Sequence, residues 1–194
     1  TGIHPRRLGI PGEDKFDRKG VTSCTVCDGP LFKGKTTATI GSGNAALESA
    51  LMMGGIAKEV FLLSKYANTP ELQNGFPKGD RILIDKVQEL KNVTIIHEAN
   101  TLEITGKMSA EGLRYKIKQG EEKILAVQGV MVHIGMIPNS SFATMLNKNP
   151  LGEIIADKFQ HTDMPGIFVA GDVTDIPHKQ IAIAAGQGVV AALE

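Results

Sequence analysis

A glycine turn sets the frame of this chain. Gly41-Ser42-Gly43-Asn44-Ala45-Ala46 follows a β-branched run at residues 36–40 and opens a stretch, residues 44–53, in which Ala46, Ala50 and Met53 recur at helical spacing. Glu59-Val60-Phe61-Leu62-Leu63 supplies the next strand, so the three segments read as one βαβ unit. In such a unit Gly41 makes the tight turn, Gly43 lets a pyrophosphate approach the backbone, and Ala46 keeps helix and strand close. The amides at the helix start, at Asn44 and Ala45, then carry the anion. A glycine-rich turn of an ordinary α/β fold is the competing reading, and the flanking βαβ pattern favours a dinucleotide.

Around this unit the pattern changes several times. Residues 1–34 are irregular, punctuated by His4-Pro5, Ile10-Pro11-Gly12-Glu13 and Asp28-Gly29-Pro30. Residues 64–79, with two prolines and two asparagines, read as a long loop of the kind that is often functional. Asp80 caps a helix with Leu83, Val87 and Leu90 as its buried stripe, and residues 93–97 form a third strand. Residues 100–127 then give three β-rich runs separated by Gly106-Lys107-Met108-Ser109 and Gln119-Gly120-Glu121, a β-meander. A buried strand at 130–134 ends at Gly135-Met136-Ile137-Pro138-Asn139, which marks a domain boundary. Beyond it the pattern predicts a short helix at 141–146, a hairpin-like stretch at 152–156, a strand at 167–170 and a closing helix from residue 179.

The two cysteines stand together as Cys24-Thr25-Val26-Cys27, followed at once by Asp28. In a Cys-x-x-Cys turn both sulfurs can meet without a large backbone movement, and a neighbouring acid can supply or take the exchange proton. A zinc half-site and an inert structural pair are the alternatives. Zinc needs four ligands, whereas His4, His97, His133, His161 and His178 are scattered, so no metal site is expected. Asp28-Gly29 is also an ordinary turn dipeptide.

Lys plus Arg equals Asp plus Glu at 21 each, so no net field draws the chain to nucleic acid or a membrane surface. The apolar stretch at residues 181–193 is interrupted by Gly186-Gln187-Gly188 and is too short to span a bilayer. Two cysteines fit a reducing cytoplasm better than a disulfide-stapled secreted domain. The nicotinamide donor is harder to read. An acid after the second strand would take the ribose hydroxyls of NADH, and an Arg cluster the 2′-phosphate of NADPH, but this chain gives Ser64-Lys65-Tyr66. Lys65 offers a point charge without the bidentate fork of Arg.

With these residues placed, the chain resembles the low-molecular-weight thioredoxin reductases of the pyridine nucleotide-disulfide oxidoreductase family. Leu8-Gly9-Ile10-Pro11-Gly12-Glu13 is similar to the family's crossover into the nucleotide domain, and Ser23-Cys24-Thr25-Val26-Cys27-Asp28-Gly29-Pro30 to its active-site stretch. Pro165-Gly166-Ile167-Phe168-Val169-Ala170-Gly171-Asp172-Val173 is similar to the flavin-contacting strand, with Lys179-Gln180 in place of an Arg-Gln pair. The resemblance implies an α/β fold: a three-layer Rossmann-like nucleotide-binding domain with a β-meander insertion, plus the C-terminal part of a second, FAD-type domain. Residues 1–12 would be the crossover from the flavin lobe, 13–134 the pyridine-nucleotide-type domain carrying the cysteines, and 135–194 the FAD-type part.

By the same resemblance Cys27 faces the flavin, Cys24 attacks the thioredoxin disulfide, and Asp28 manages the proton. Asp172 holds the ribityl-phosphate region of FAD, Gln180 lies by its ring at a helix start, and Gly171 and Lys179 complete that wall of the flavin pocket. The nucleotide domain of the family rotates between two positions, with hinges expected near residues 9–12 and 135–139. Since the family's N-terminal flavin phosphate loop has no counterpart in these residues, the FAD site is expected to be incomplete in this chain. The expected function is a flavin-dependent disulfide reductase that passes electrons from NADPH or NADH to thioredoxin or a similar small dithiol protein, as a homodimer when full-length. The alternatives are a ferredoxin- or other-donor-linked flavoprotein and a non-enzymatic nucleotide-binding or redox-sensing module.

Overall fold

A computed structural model describes residues 2–118 and 120–194. Gln119, in the second meander turn, lies outside the described residues. The chain divides into two compact units, Arg7–Ile134 and residues 2–6 with Gly135–Glu194.

The larger unit is built on a parallel sheet. After β1 (Ile3–Pro5), which belongs to the other unit, come β2 (Val21–Thr22) and a one-turn helix α1 (Thr25–Asp28). β3 (Thr36–Ile40), α2 (Asn44–Gly54) and β4 (Glu59–Leu63) make the βαβ unit, and α3 (Arg81–Gln88) leads to β5 (Val93–Ile96). β6 (Ala99–Gly106), β7 (Ala110–Ile117) and β8 (Glu122–Leu125) form a separate antiparallel sheet before β9 (Gly129–Val132) rejoins the first. The parallel order is β2-β9-β3-β4-β5.

Period-two alternation along the central strands produces the three layers. Val60 and Leu62 of β4 and Met131 of β9 pack with Ala46, Leu47, Ala50 and Met53 of α2 and with Ile84 and Val87 of α3. Ala38 and Ile40 of β3 and Val130 and Val132 of β9 point the other way, onto Ile104, Leu113 and Tyr115 of the meander. Each large apolar side chain buried in these layers contributes about 1.5–3 kcal/mol. The stripe of α3 is Ile84 and Val87 with Leu83 half-buried, while Leu90 lies past the helix end. Asp80 stands at its N-cap, yet the carboxylate makes no capping bond there.

The stretch at residues 8–13 has a structural use of its own. Glu13 is buried, and its carboxylate accepts from the amides of Leu8 at 2.9 Å and Gly9 at 2.8 Å. Leu8 and Ile10 pack against the meander-side core.

In the smaller unit β1 pairs antiparallel with β10 (Met136–Pro138), so the break at residues 135–139 contains a strand. Three sequence expectations fail here. Residues 141–146 form turns instead of a helix. The Ser140 hydroxyl donates to the Gly152 carbonyl at 2.5 Å and Lys148 Nζ to the Ser140 carbonyl at 2.7 Å, which fixes an irregular path. Residues 167–170 carry a single bridge, Phe168 to His161, because Gly166 and Gly171, both at positive φ, turn the chain out of an extended path on either side. The stretch at 152–156 has only the isolated bridges of Ile154 to Lys148 and Thr174. The closing helix α4 spans Ile181–Leu193, starts two residues later than expected, and has no buried residue. No helix among the described residues is long and apolar enough to cross a membrane.

Candidate functional site

β2 delivers the cysteines. It ends at Thr22, and Cys24 takes the N-cap position of α1 with φ −123° and ψ 89°. Its Sγ accepts from the Cys27 amide at 3.3 Å. Cys24 and Cys27 are joined as a disulfide with Cα atoms 5.3 Å apart, inside the span such a bond requires. Cys27 is exposed and Cys24 half-buried.

Thr22 organises both the turn and its acid. Its hydroxyl accepts from the Cys24 amide at 3.0 Å and donates to Asp28 Oδ2 at 2.5 Å. A carboxylate is thereby held beside the cysteines by a hydroxyl that also fixes Cys24. Asp28 lines an open groove of about 400 Å³ with Arg18, Leu31, Phe32, Lys35 and Gln128.

Beneath the turn runs a chain of buried polar groups that sequence reading missed. Thr25 Oγ1 lies 2.6 Å from Ser49 Oγ of α2 and 2.8 Å from His133 Nε2, just past β9. Thr39 Oγ1 of β3 stands 3.5 Å from Ser49 Oγ. Burial pushes the His133 pKa below the ordinary imidazole value. The folded chain therefore binds this proton less readily than the unfolded one, and stability falls as pH drops through the ordinary imidazole range.

At the glycine turn, Gly41 has φ +153°, and a Cβ there would run into the His133 carbonyl oxygen and the Ala46 methyl. Gly43 is the N-cap of α2 in extended conformation and has no side chain to cap it, so the first amides of α2 are available to an anion. Asn44 is engaged on its side-chain end: its Nδ2 donates to Asp80 Oδ2 at 2.8 Å, and its Oδ1 accepts from the Asp80 amide at 2.7 Å. That clasp explains why the Asp80 carboxylate does not cap α3. Ala45 is exposed, and Ala46 is fully buried between α2 and the sheet.

The end of β4 carries neither an acid nor an Arg. Ser64 is fully buried, donates to the Gly75 carbonyl at 2.6 Å and accepts from the Tyr66 amide at 3.1 Å. The loop at 64–79 folds back through a 3-10 turn at Pro70–Gly75 to consume this hydroxyl. Lys65 remains exposed, with Nζ 5.1 Å from the Tyr66 ring centroid. Lys78 pairs with Gly43 in an isolated parallel bridge, which sets a second lysine at the turn.

The remaining sequence candidates gather in the smaller unit. Gly171, at φ +83°, donates its amide to Gln187 Oε1 of α4 at 2.8 Å, and Asp172 is half-buried beside it. Lys179 Nζ lies 2.8 Å from Glu153 Oε1 and donates to the Thr174 carbonyl at 2.5 Å. Burial raises the Glu153 pKa, but hydrogen bonds from Lys179 and Asn149 and the Lys179 charge outweigh it and hold the carboxyl below its ordinary value. Lys179 is thus committed to protein partners, while Gln180 is exposed at the N-cap of α4.

The family model for pyridine nucleotide-disulphide oxidoreductases matches residues 1–188. The chain belongs to that family. It is 44% identical over 195 residues to a Bacillus subtilis protein named NADH dehydrogenase, and 43% identical over 196 residues to an alkyl hydroperoxide reductase component of Escherichia coli. Both comparisons cover 100% of this chain, but only 37% and 36% of those proteins' own length. Lactococcus lactis thioredoxin reductase is similar in structure, with TM-score 0.82 and 30% identity over 100% of this chain and 62% of that one. The expected resemblance and fold class hold: an oxidoreductase family, a thioredoxin-reductase-type architecture, a Rossmann-type sheet and a cysteine pair at disulfide distance.

Within this oxidoreductase frame, the larger unit brings the cysteine turn and the glycine turn onto one helix, since Thr25 bonds to Ser49 of α2 and α2 begins at Asn44. Thr25, Ser49 and His133 had no local signal, and Asp80 was legible only as a helix cap. A hydroxyl two residues before a Cys-x-x-Cys turn, followed by an acid directly after it, was the one legible hint.

Proposed function

We propose that this chain carries the disulfide centre and a dinucleotide-binding lobe of a flavin-dependent disulfide reductase whose acceptor is thioredoxin or a similar small dithiol protein. The carrying observation is the Cys24–Cys27 disulfide, open to solvent at Cys27, with Asp28 held beside it by Thr22. FAD, when bound, supplies two-electron transfer from a nicotinamide to this disulfide. Gly171, Asp172 and Gln180 are the residues offered to it, and Lys179 would act only through Glu153. The amides at Asn44 and Ala45 fit the pyrophosphate of the nicotinamide donor.

In the exchange itself the reduced Cys24 thiolate attacks one sulfur of the partner's disulfide and forms a mixed disulfide. The other partner sulfur leaves as a thiolate and takes up the Cys27 proton, which the Asp28 carboxylate relays. Cys27, now a thiolate, then attacks Cys24, restores the Cys24–Cys27 bond and releases the second partner sulfur as a thiolate that takes its proton from solvent. Thiol labelling should find no reactive site before dithiothreitol and two after it, and Cys27→Ser should trap the partner on Cys24. Labelling unchanged by dithiothreitol, or trapping only in Cys24→Ser, would overturn the assignment.

Buried Ser64 favours a second reading in which the donor is ferredoxin or another reductant and the disulfide chemistry is unchanged. With no acid or Arg at that strand end, weak binding of both NADH and NADPH is expected. Lys65→Ala should change either affinity by less than about fivefold, the worth of an exposed ion pair at ~0.2–1 kcal/mol. Calorimetric titration checks this. A tight NADPH-selective isotherm surviving in Lys65→Ala would put the 2′-phosphate elsewhere.

A further inference from the structure

Thr25 sits between the two cysteines, yet its hydroxyl points away from solvent into the chain formed by Ser49 and His133. That hydroxyl has one proton. With His133 Nε2 unprotonated, Thr25 donates to the imidazole and must accept from Ser49. With a proton on Nε2, in the neutral Nε2–H tautomer or in the imidazolium, the imidazole donates to Thr25 and frees the Thr25 proton for Ser49. The direction of hydrogen bonding beneath the cysteine turn is therefore set by whether Nε2 of one histidine carries a proton.

We infer that His133 is a positioning residue of the redox pair that takes up a proton when the disulfide is reduced, with the Thr25 hydroxyl as the link. This rests on the reading that Cys24 and Cys27 cycle between disulfide and dithiol. When a dithiol reductant breaks the S–S bond, it gives up two electrons and two protons and closes to its own cyclic disulfide. One proton goes to a cysteine sulfur. The second rests on His133, leaving the other sulfur as a thiolate stabilised by the imidazolium.

The surroundings leave His133 free to respond to that thiolate. Within its unit, α1 brings Asp28 and the cysteines, and α2 brings Glu48, exposed beside Ser49. The end of β3 and the glycine turn, residues 39–43, bring no ionisable group. In the oxidised chain burial disfavours the imidazolium, and Asp28 is already engaged by Thr22. A new negative charge one residue from Thr25 is the change that reverses the balance.

The test is an NMR titration of the His133 ring in the 194-residue chain, oxidised and after dithiothreitol. The midpoint is expected to rise by about 0.5–1 unit on reduction, the size of coupling between neighbouring titrating groups. Thr25→Val should shrink that rise. His133→Gln keeps a hydrogen-bonding side chain without a titrating one. It should retain the melting temperature but lose the inflection His133 contributes to the pH profile of cysteine alkylation. Equal midpoints in the two redox states, or an unchanged alkylation profile in His133→Gln, would overturn the inference while leaving the disulfide chemistry intact. Failure of dithiothreitol to expose two thiols would instead overturn both.

Discussion

Asp28→Asn is expected to slow thiol-disulfide exchange at the Cys24/Cys27 pair by about 10²- to 10⁴-fold, the usual worth of positioned acid–base assistance. The structure makes the substitution a clean probe. Asp28 Oδ2 receives its hydrogen bond from the Thr22 hydroxyl, and an Asn carbonyl oxygen at the same place still accepts that bond, without the carboxylate's charge. The side chain keeps its shape and can no longer take up or return a proton. Stopped-flow exchange with a small disulfide measures the rate, and thermal unfolding measures the cost to the fold. An unchanged exchange rate with a lowered melting temperature would reduce Asp28-Gly29 to a turn. Thr22→Val separates the two roles further. It removes the acceptor of the Cys24 amide as well as the donor to Asp28, so it should cost about 1–3 kcal/mol of stability in addition to rate.

The parts of the fold that the sequence made legible are those whose cause is local. β3 and β4 are β-branched or apolar runs ended by glycine or serine, and α2 starts where Gly43 ends its turn, so their bounds fall within a residue or so of expectation. The meander follows from turn residues at regular spacing. The smaller unit was misread because its path is fixed by contacts distant in sequence. Residues 141–146 have helical spacing, but Ser140, Lys148 and Gly152 bond to one another and hold turns instead. Residues 167–170 look like a strand and have only His161 to pair with.

The same division runs through the candidate site. Cys24, Cys27 and Asp28 announce themselves by spacing, and the glycine turn by its flanks. Their supports do not. Thr25 and Ser49 are 24 residues apart, and Thr25 and His133 are 108 apart, so no window of sequence contains the chain they form. Ser64 was legible as the wrong residue for a donor site. That the loop after it turns back to bind its hydroxyl depends on Gln73 and Asn74 at positive φ, which composition does not reveal.

Alanine at the two turn glycines is expected to divide folding from ligand binding. Gly41→Ala forces a side chain into φ +153° and drives its Cβ against the His133 carbonyl and the Ala46 methyl, neither of which can yield without moving β9 or α2. Strain and overpacking together should cost about 3 kcal/mol or more, read as a lower denaturation midpoint at unchanged slope. Gly43→Ala meets different surroundings. Its backbone is extended at φ −132°, and the new methyl lies 3.5 Å from the Lys78 carbonyl oxygen and 3.6 Å from Lys78 Cβ, ordinary contacts. Stability should change by no more than about 0.5–1 kcal/mol, near the Gly-to-Ala entropy gain. In a dinucleotide turn the second glycine is where the pyrophosphate approaches the backbone, so on the proposed reading nucleotide binding should be lost from a folded chain. If Gly43→Ala binds a dinucleotide as well as the parent does, the turn is a structural corner of the βαβ unit and the pyrophosphate rests on other amides.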